Sequence, residues 1–255
     1  MSKYCVVSLI FNNYEILREV NKKSDNCDYL LFTDNKQLTS ETWTVHYLQE
    51  FDTEELTGIQ KTYKFKYSLF NYIPNVEQYS YIIRLDHSIN IYEPLDYIIG
   101  YLDKNNYDIL CSIHPHRTNF SEEYDCWIDS RNLDPMYKEK FLNYCNVDDI
   151  GLVECTAMIY KNSDNVINFL NDVYNVLKEN NDFKDANDQC YFTYCLYKHK
   201  DELNILFTNA HLYRNTPLNS RLLSLCWHNT NIKVTENFID IQTNIFNEKQ
   251  SIKLF

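Results

Sequence analysis

YIIRLDHSI, residues Tyr81–Ile89, is the stretch on which the fold turns. Its first five residues are an apolar run interrupted only by Arg84, and the run stops at a carboxylate, Asp86, followed by His87 and Ser88. Apolar residues without polar alternation predict a strand buried on both faces. A guanidinium inside such a strand has to be paired or sit at an edge, and a structural ion pair is the reading preferred for Arg84. Asp86 then stands where a buried strand meets water, either as a ligand-binding acid or as the cap of a turn.

Working outward, KYCVVSLIF (Lys3–Phe11), YLLFTDN (Tyr29–Asn35), DILCSI (Asp108–Ile113) and LVECTAMIY (Leu152–Tyr160) repeat the pattern. WTVHYL (Trp43–Leu48) alternates and reads as an edge strand, and ILF (Ile205–Phe207) is a short apolar run. Between them, EILREVNKK (Glu15–Lys23) reads as a short helix, and a longer helix runs from Thr53 to Tyr72, ended by Pro74. Val166, Phe169, Leu170, Val173 and Leu177 form one face of an amphipathic helix, and another helix starts at Asn187 or Asp188. Buried strands alternating with helices predict the α/β class, a mostly parallel central sheet with helices on both faces. Ligands bind such sheets at the carboxyl ends of the strands. That rule picks out Asn12, Asn13, Asp34, Asp86, His114 and Arg117. No internal repeat or linker interrupts the chain, and residues 1–255 read as one domain.

The three glycines, Gly58, Gly100 and Gly151, are too scattered for a G-x-G-x-x-G or Walker loop, which argues against Rossmann dehydrogenases, P-loop NTPases and sugar-nucleotide pyrophosphorylases. A net charge of −12 argues against a nucleic-acid coat. Nine cysteines without a C-x-x-C pair disfavour a zinc site. Cys5, Cys111, Cys155 and Cys195 read as small buried hydrophobes in a reducing compartment. MSKYCVVSLIFNNYE does not fit a signal peptide, and no apolar stretch is long enough to span a bilayer. A cytoplasmic location is the expectation.

The ordered motifs FNNYEIL, LFTDN, KTYKFK, YIIRLDHSINI, HPHR with Glu122 and Glu123, GLVECTAMIY and NDQCYFTY add a further indication. Together, over about residues 4–198, they resemble a glycosyltransferase-like family, first catalogued as a domain of unknown function and linked in plants to mucilage and pectin synthesis. Residues 199–255 lie beyond the resemblance, as an unassigned extension of the same domain. The chain departs from the family pattern in Asn12 for a turn glycine, Glu15 for an aspartate, and Asn187 for the arginine before Asp188 and Gln189. The resemblance implies a GT-A type of fold. It also implies transfer of a sugar from a nucleotide-sugar donor to a saccharide or other hydroxyl acceptor, in polysaccharide biosynthesis.

Such chemistry needs donor contacts, a counter-charge for the leaving diphosphate and a base for the acceptor. Asp86, Ser88, Lys61, Lys64, Arg117 and His116 are the candidate donor ligands, with Phe11, Tyr14 and Trp127 offering stacking surfaces. Asp188 is the first choice as general base and Glu154 the second, with Gln189 toward the acceptor. GT-A proteins usually hold a metal on D-x-D, where this chain has D-H-S. Asp86 with His87 is the candidate site for Mn2+ or Mg2+, and Lys, Arg and His alone are the alternative. Asp86→Ala is expected to remove donor binding at little cost in stability. A non-catalytic nucleotide- or sugar-binding protein that kept the fold is the second functional reading.

Overall fold

The computed structural model describes residues 3–53, 55–91, 94–114, 116–147, 150–180, 187–209 and 223–225. Seven strands form one sheet in the order β3-β2-β1-β4-β7-β6-β8. These are β1 (Tyr4–Ile10), β2 (Cys27–Thr33), β3 (Thr44–Tyr47), β4 (Tyr81–Leu85), β6 (Ile109–Ile113), β7 (Val153–Lys161) and β8 (Ile205–Asn209). All neighbours run parallel except at β7, which is antiparallel to both β4 and β6. The alternating run around Val45 does form an edge strand, β3. β5 (Ile89–Ile91) pairs separately with β9 (Leu223–Leu225).

The two-residue strand period divides the core. Cys5, Val7 and Leu9 of β1 point into one cluster, while Tyr4, Val6 and Ile10 point into the other. The first face is covered by α2 (Gly58–Ser68), α4 (Phe120–Arg131), α5 (Met136–Cys145), α6 (Asp164–Glu179) and α7 (Asp188–Lys198). The second is covered by α3 (Asp96–Lys104) and by Val20 and Trp43. The expected α/β sheet with helices on both faces is therefore present. On α6, Val166, Phe169, Leu170, Val173 and Leu177 are all buried, as their spacing predicts. Cys5, Cys111, Cys155 and Cys195 are free and buried. No helix among the described residues is long and apolar enough to cross a membrane.

Two local expectations are corrected. The segment Glu15–Lys23 is not helical. Its polar groups find partners outside the segment: Glu19 accepts from the hydroxyl of Ser40 and the N–H groups of Glu41 and Thr42, and the Arg18 carbonyl accepts from the Trp43 indole. Burial raises the Glu19 pKa, but these hydrogen bonds outweigh it and hold the carboxyl down at about 2. The long helix expected from Thr53 to Tyr72 is broken instead. A short α1 (Gln49–Thr53) precedes it, and α2 begins only after Thr57, whose side chain and that of Gln60 form a reciprocal capping box. Such a cap contributes about 1 kcal/mol and fixes where the helix starts.

Candidate active site

The carboxyl ends of β1, β2 and β4 are brought together by one turn and three cations. Asn12 and Asn13 both take left-handed backbone, φ 53° and 52°, a conformation that asparagine tolerates better than most non-glycine residues. The Asn12 N–H donates to Asp34, and Lys61 bridges Asp34 (2.7 Å) and the Asn12 side-chain carbonyl (2.9 Å). Lys61 thus ties the end of β1 to the end of β2. Lys64 lies over the Phe51 ring at 5.1 Å.

At the end of β4, Arg84 and Asp86 lie two residues apart, so both side chains point to the same face. Arg84 is buried and pairs with Asp86 Oδ1 at 2.6 Å, besides donating to the Cys155 and Thr156 carbonyls. Burial disfavours its charge most, but the Asp86 carboxylate, joined by Tyr160, Tyr67 and Cys155, outweighs it and holds the guanidinium pKa above its ordinary value. The structural ion pair read for Arg84 is present, and its partner is the site acid itself.

Lys66, from the last turn of α2, also reaches Asp86, 2.9 Å from Oδ1 and 3.1 Å from Oδ2. It also lies 3.6 Å from Asp188 Oδ2. Asp188 opens α7 but is not its cap: the Asn187 side chain accepts from the Cys190 N–H and performs that task. The Asp188 carboxylate is left to face the cavity, held by the Tyr67 hydroxyl at 3.2 Å. Burial, and then the Asp188 charge, push the Tyr67 pKa well above its ordinary value, so the phenol stays protonated and donates.

Asp86, Lys66 and Asp188 line one cavity of about 240 Å³, together with Phe11, Tyr14, Glu15, Tyr63 and Arg131. Two acids far apart in sequence, each singled out separately, therefore meet in one site at the carboxyl edge of the sheet. Phe11 lines it but is buried and stacked on Phe51 at 4.8 Å. Tyr14 and Ile59 stand exposed at its rim. Ser88, Lys61, Lys64, Arg117, His116, Glu154 and Gln189 are not among the residues lining it.

Several of those residues form a polar network beneath α7. The buried Glu123 accepts from Asn187 and Gln189, each at 2.9 Å, and from the Arg117 guanidinium. Glu154 is buried against the Thr156 hydroxyl and lies 3.6 Å from His114. His116 is exposed. This network sets the start of α7 and with it the position of Asp188. Trp127 is buried in α4 and carries the Arg131 guanidinium over its ring at 5.8 Å.

His87 lines the cavity wall, yet both ring nitrogens are engaged. Nε2 accepts from the Arg18 backbone N–H at 2.7 Å, so the neutral ring keeps its proton on Nδ1, facing Ser8 Oγ at 3.0 Å. Burial, helped by the nearby Arg18 charge, lowers its pKa from 6.5 to about 4. The unfolded chain takes up a proton near the upper value, which the folded ring refuses until the lower one. Stability is thus expected to fall by roughly 3 kcal/mol as pH drops through this window. Urea midpoints measured across it should show the loss, and His87→Gln should flatten it. A wild-type midpoint no more acid-sensitive than that of His87→Gln would show that the ring ionises inside the fold.

The donor set does not fit a divalent ion. Both Asp86 oxygens already carry cationic partners, and the only ring lone pair of His87 holds an amide. Among the described residues no group of three or more His, Cys, Asp or Glu side chains is placed to hold a metal.

No protein-family model and no curated protein sequence matches the chain. Among solved structures it is similar to the mannosyltransferase Ktr4p from S. cerevisiae, with TM-score 0.49 and 14% identity over 81% of this chain and 68% of that one. Residue roles follow from the geometry above and not from that likeness.

Proposed function

We propose that the chain is a GT-A-type glycosyltransferase that moves a sugar from a nucleotide-sugar donor to a hydroxyl acceptor. The observation that carries this reading is the convergence of Asp86, Lys66, Asp188 and Arg131 in one cavity at the carboxyl edge of a mostly parallel sheet. Asp188 serves as general base. It takes the acceptor proton as the acceptor oxygen bonds to the anomeric carbon, and the carbon–oxygen bond to the diphosphate breaks with its electron pair. Lys66 and Arg131, the two cations on the cavity wall, meet the charge that develops on the leaving diphosphate. Glu154, sequestered on Thr156 away from the cavity, is the weaker candidate for the base. Tyr14 at the rim offers a face for a base or sugar ring.

A second reading, a binding protein without turnover, draws on one observation: Lys66 and Tyr67 already engage the Asp188 carboxylate and weaken it as a base. Incubation with a panel of nucleotide sugars, with product analysis for hydrolysis and transfer, separates the two. Turnover with at least one donor is the expected result. Binding without turnover supports the second reading, and binding of none rejects both.

A further inference from the structure

We propose that the Lys66 ammonium occupies the place a divalent ion takes between two carboxylates, so that the donor site works with a tethered cation and no metal. For the donor this rests on the glycosyltransferase reading; for the ion it rests on the geometry alone. Lys66 is buried, its side chain only 6% exposed, and its nitrogen sits 2.9 Å from Asp86 and 3.6 Å from Asp188. Arg84 pairs with the same Asp86 carboxylate, at Oδ1, at 2.6 Å. Two carboxylates are thus matched by two cations, and the cluster is neutral before any ligand arrives.

A divalent ion entering here would need oxygen ligands within about 2.0–2.6 Å. It would have to displace an ammonium whose stem is fixed in a packed helix, leaving that charge beside a doubly charged ion in a site of reduced dielectric. His87 supplies no free lone pair, because its Nε2 accepts the Arg18 amide. The hydroxyl of Ser88, the third residue of D-H-S, is buried and absent from the cavity wall. The chain therefore carries the second acid of a metal pair on α7, in Asp188, and fills the space between the two acids with its own cation. An arriving nucleoside diphosphate meets the Lys66 N–H donors and the Arg131 guanidinium directly.

The test is a calorimetric titration of Mn2+ into the full chain and into Lys66→Met, which keeps the stem and removes the charge. The wild type is expected to bind weakly. Lys66→Met is expected to bind at least about tenfold more tightly, because one positive charge within ~4 Å has gone. In parallel, donor turnover or nucleotide binding by the wild type should stay within about twofold when a chelator replaces Mn2+, against the order-of-magnitude losses expected if an ion carried the leaving-group charge. Loss with chelator that Mn2+ restores, or Mn2+ affinity in the wild type equal to that of Lys66→Met, overturns the proposal. If Lys66→Met does not fold, the wild-type chelator and Mn2+ titrations decide it by themselves. Failure of every nucleotide sugar to bind would remove the glycosyltransferase reading, while the two Mn2+ titrations would still decide whether Lys66 fills the ion's place.

Discussion

Replacing Asp188 by asparagine should lower transfer by roughly 10²–10⁴-fold and leave donor affinity nearly unchanged. The substitution is well suited to the question because the helix does not depend on this carboxylate for its cap. Asn187 caps α7 through the Cys190 N–H, and Glu123 anchors Asn187 and Gln189 on either side of Asp188. An asparagine in this place still accepts from the Tyr67 hydroxyl, which lies 3.2 Å from Oδ2. What it loses is the basic lone pair and the charge facing Lys66. The cost to α7 is limited to the acid's interaction with the helix dipole, about 0.3–1 kcal/mol. Initial rates with saturating acceptor, set beside donor titrations, give the two quantities. If turnover stays within a few-fold of wild type, Asp188 is not the base. Glu154→Gln is the control, since it disturbs the buried contacts with Thr156 and His114 and should change stability more than rate.

The sheet was legible in the sequence because its central strands β1, β4 and β7 are buried on both faces, and an unbroken run of β-branched and aromatic residues has few other uses. Strand polarity was less so: nothing in Leu152–Tyr160 distinguishes the antiparallel β7 from its parallel neighbours, since both kinds read as apolar runs when covered on two sides. On α4, Phe120, Tyr124, Trp127 and Ile128 do follow helical spacing, but the acid Glu123 sits buried among them, held by three donors, and blurs the stripe. At the site, Asp86 and Asp188 could each be found from a strand end and a helix start. Their meeting through Lys66 could not, because it depends on how α2 and α7 pack across the sheet. The Lys61 and Lys64 face invited a phosphate site, whereas Lys66 lies off that face and carried no periodic signal. Arg131 in the last turn of α4 reads as a solvated helix-end cation. The one signal left unused was local: Arg84 and Asp86, two apart along a strand, must share a face.

That pair changes what Asp86→Ala is expected to do. A site acid at a strand end reads in the sequence as replaceable at little cost. In the structure it is the counter-charge of a guanidinium only 1% exposed, and its removal leaves Arg84 buried with backbone carbonyls as partners but no carboxylate at 2.6 Å. Breaking a buried pair from one side typically costs about 3–5 kcal/mol, a large share of the roughly 5–15 kcal/mol that holds a domain together. Asp86→Ala should therefore shift the urea midpoint strongly downward. The double variant Asp86→Ala with Arg84→Met should recover most of the loss, because the stranded charge goes with its partner. Recovery should stay incomplete, since the Cys155 carbonyl loses its guanidinium donor, at about 1–3 kcal/mol where such a group stays unpaired, while the Thr156 carbonyl keeps the Asp86 N–H. An Asp86→Ala protein that unfolds at the wild-type midpoint would show that Arg84 needs no counter-ion. The double variant also separates fold from ligand: if it is folded and still fails to bind a donor that the wild type binds, Asp86 acts at the site directly and not only through Arg84.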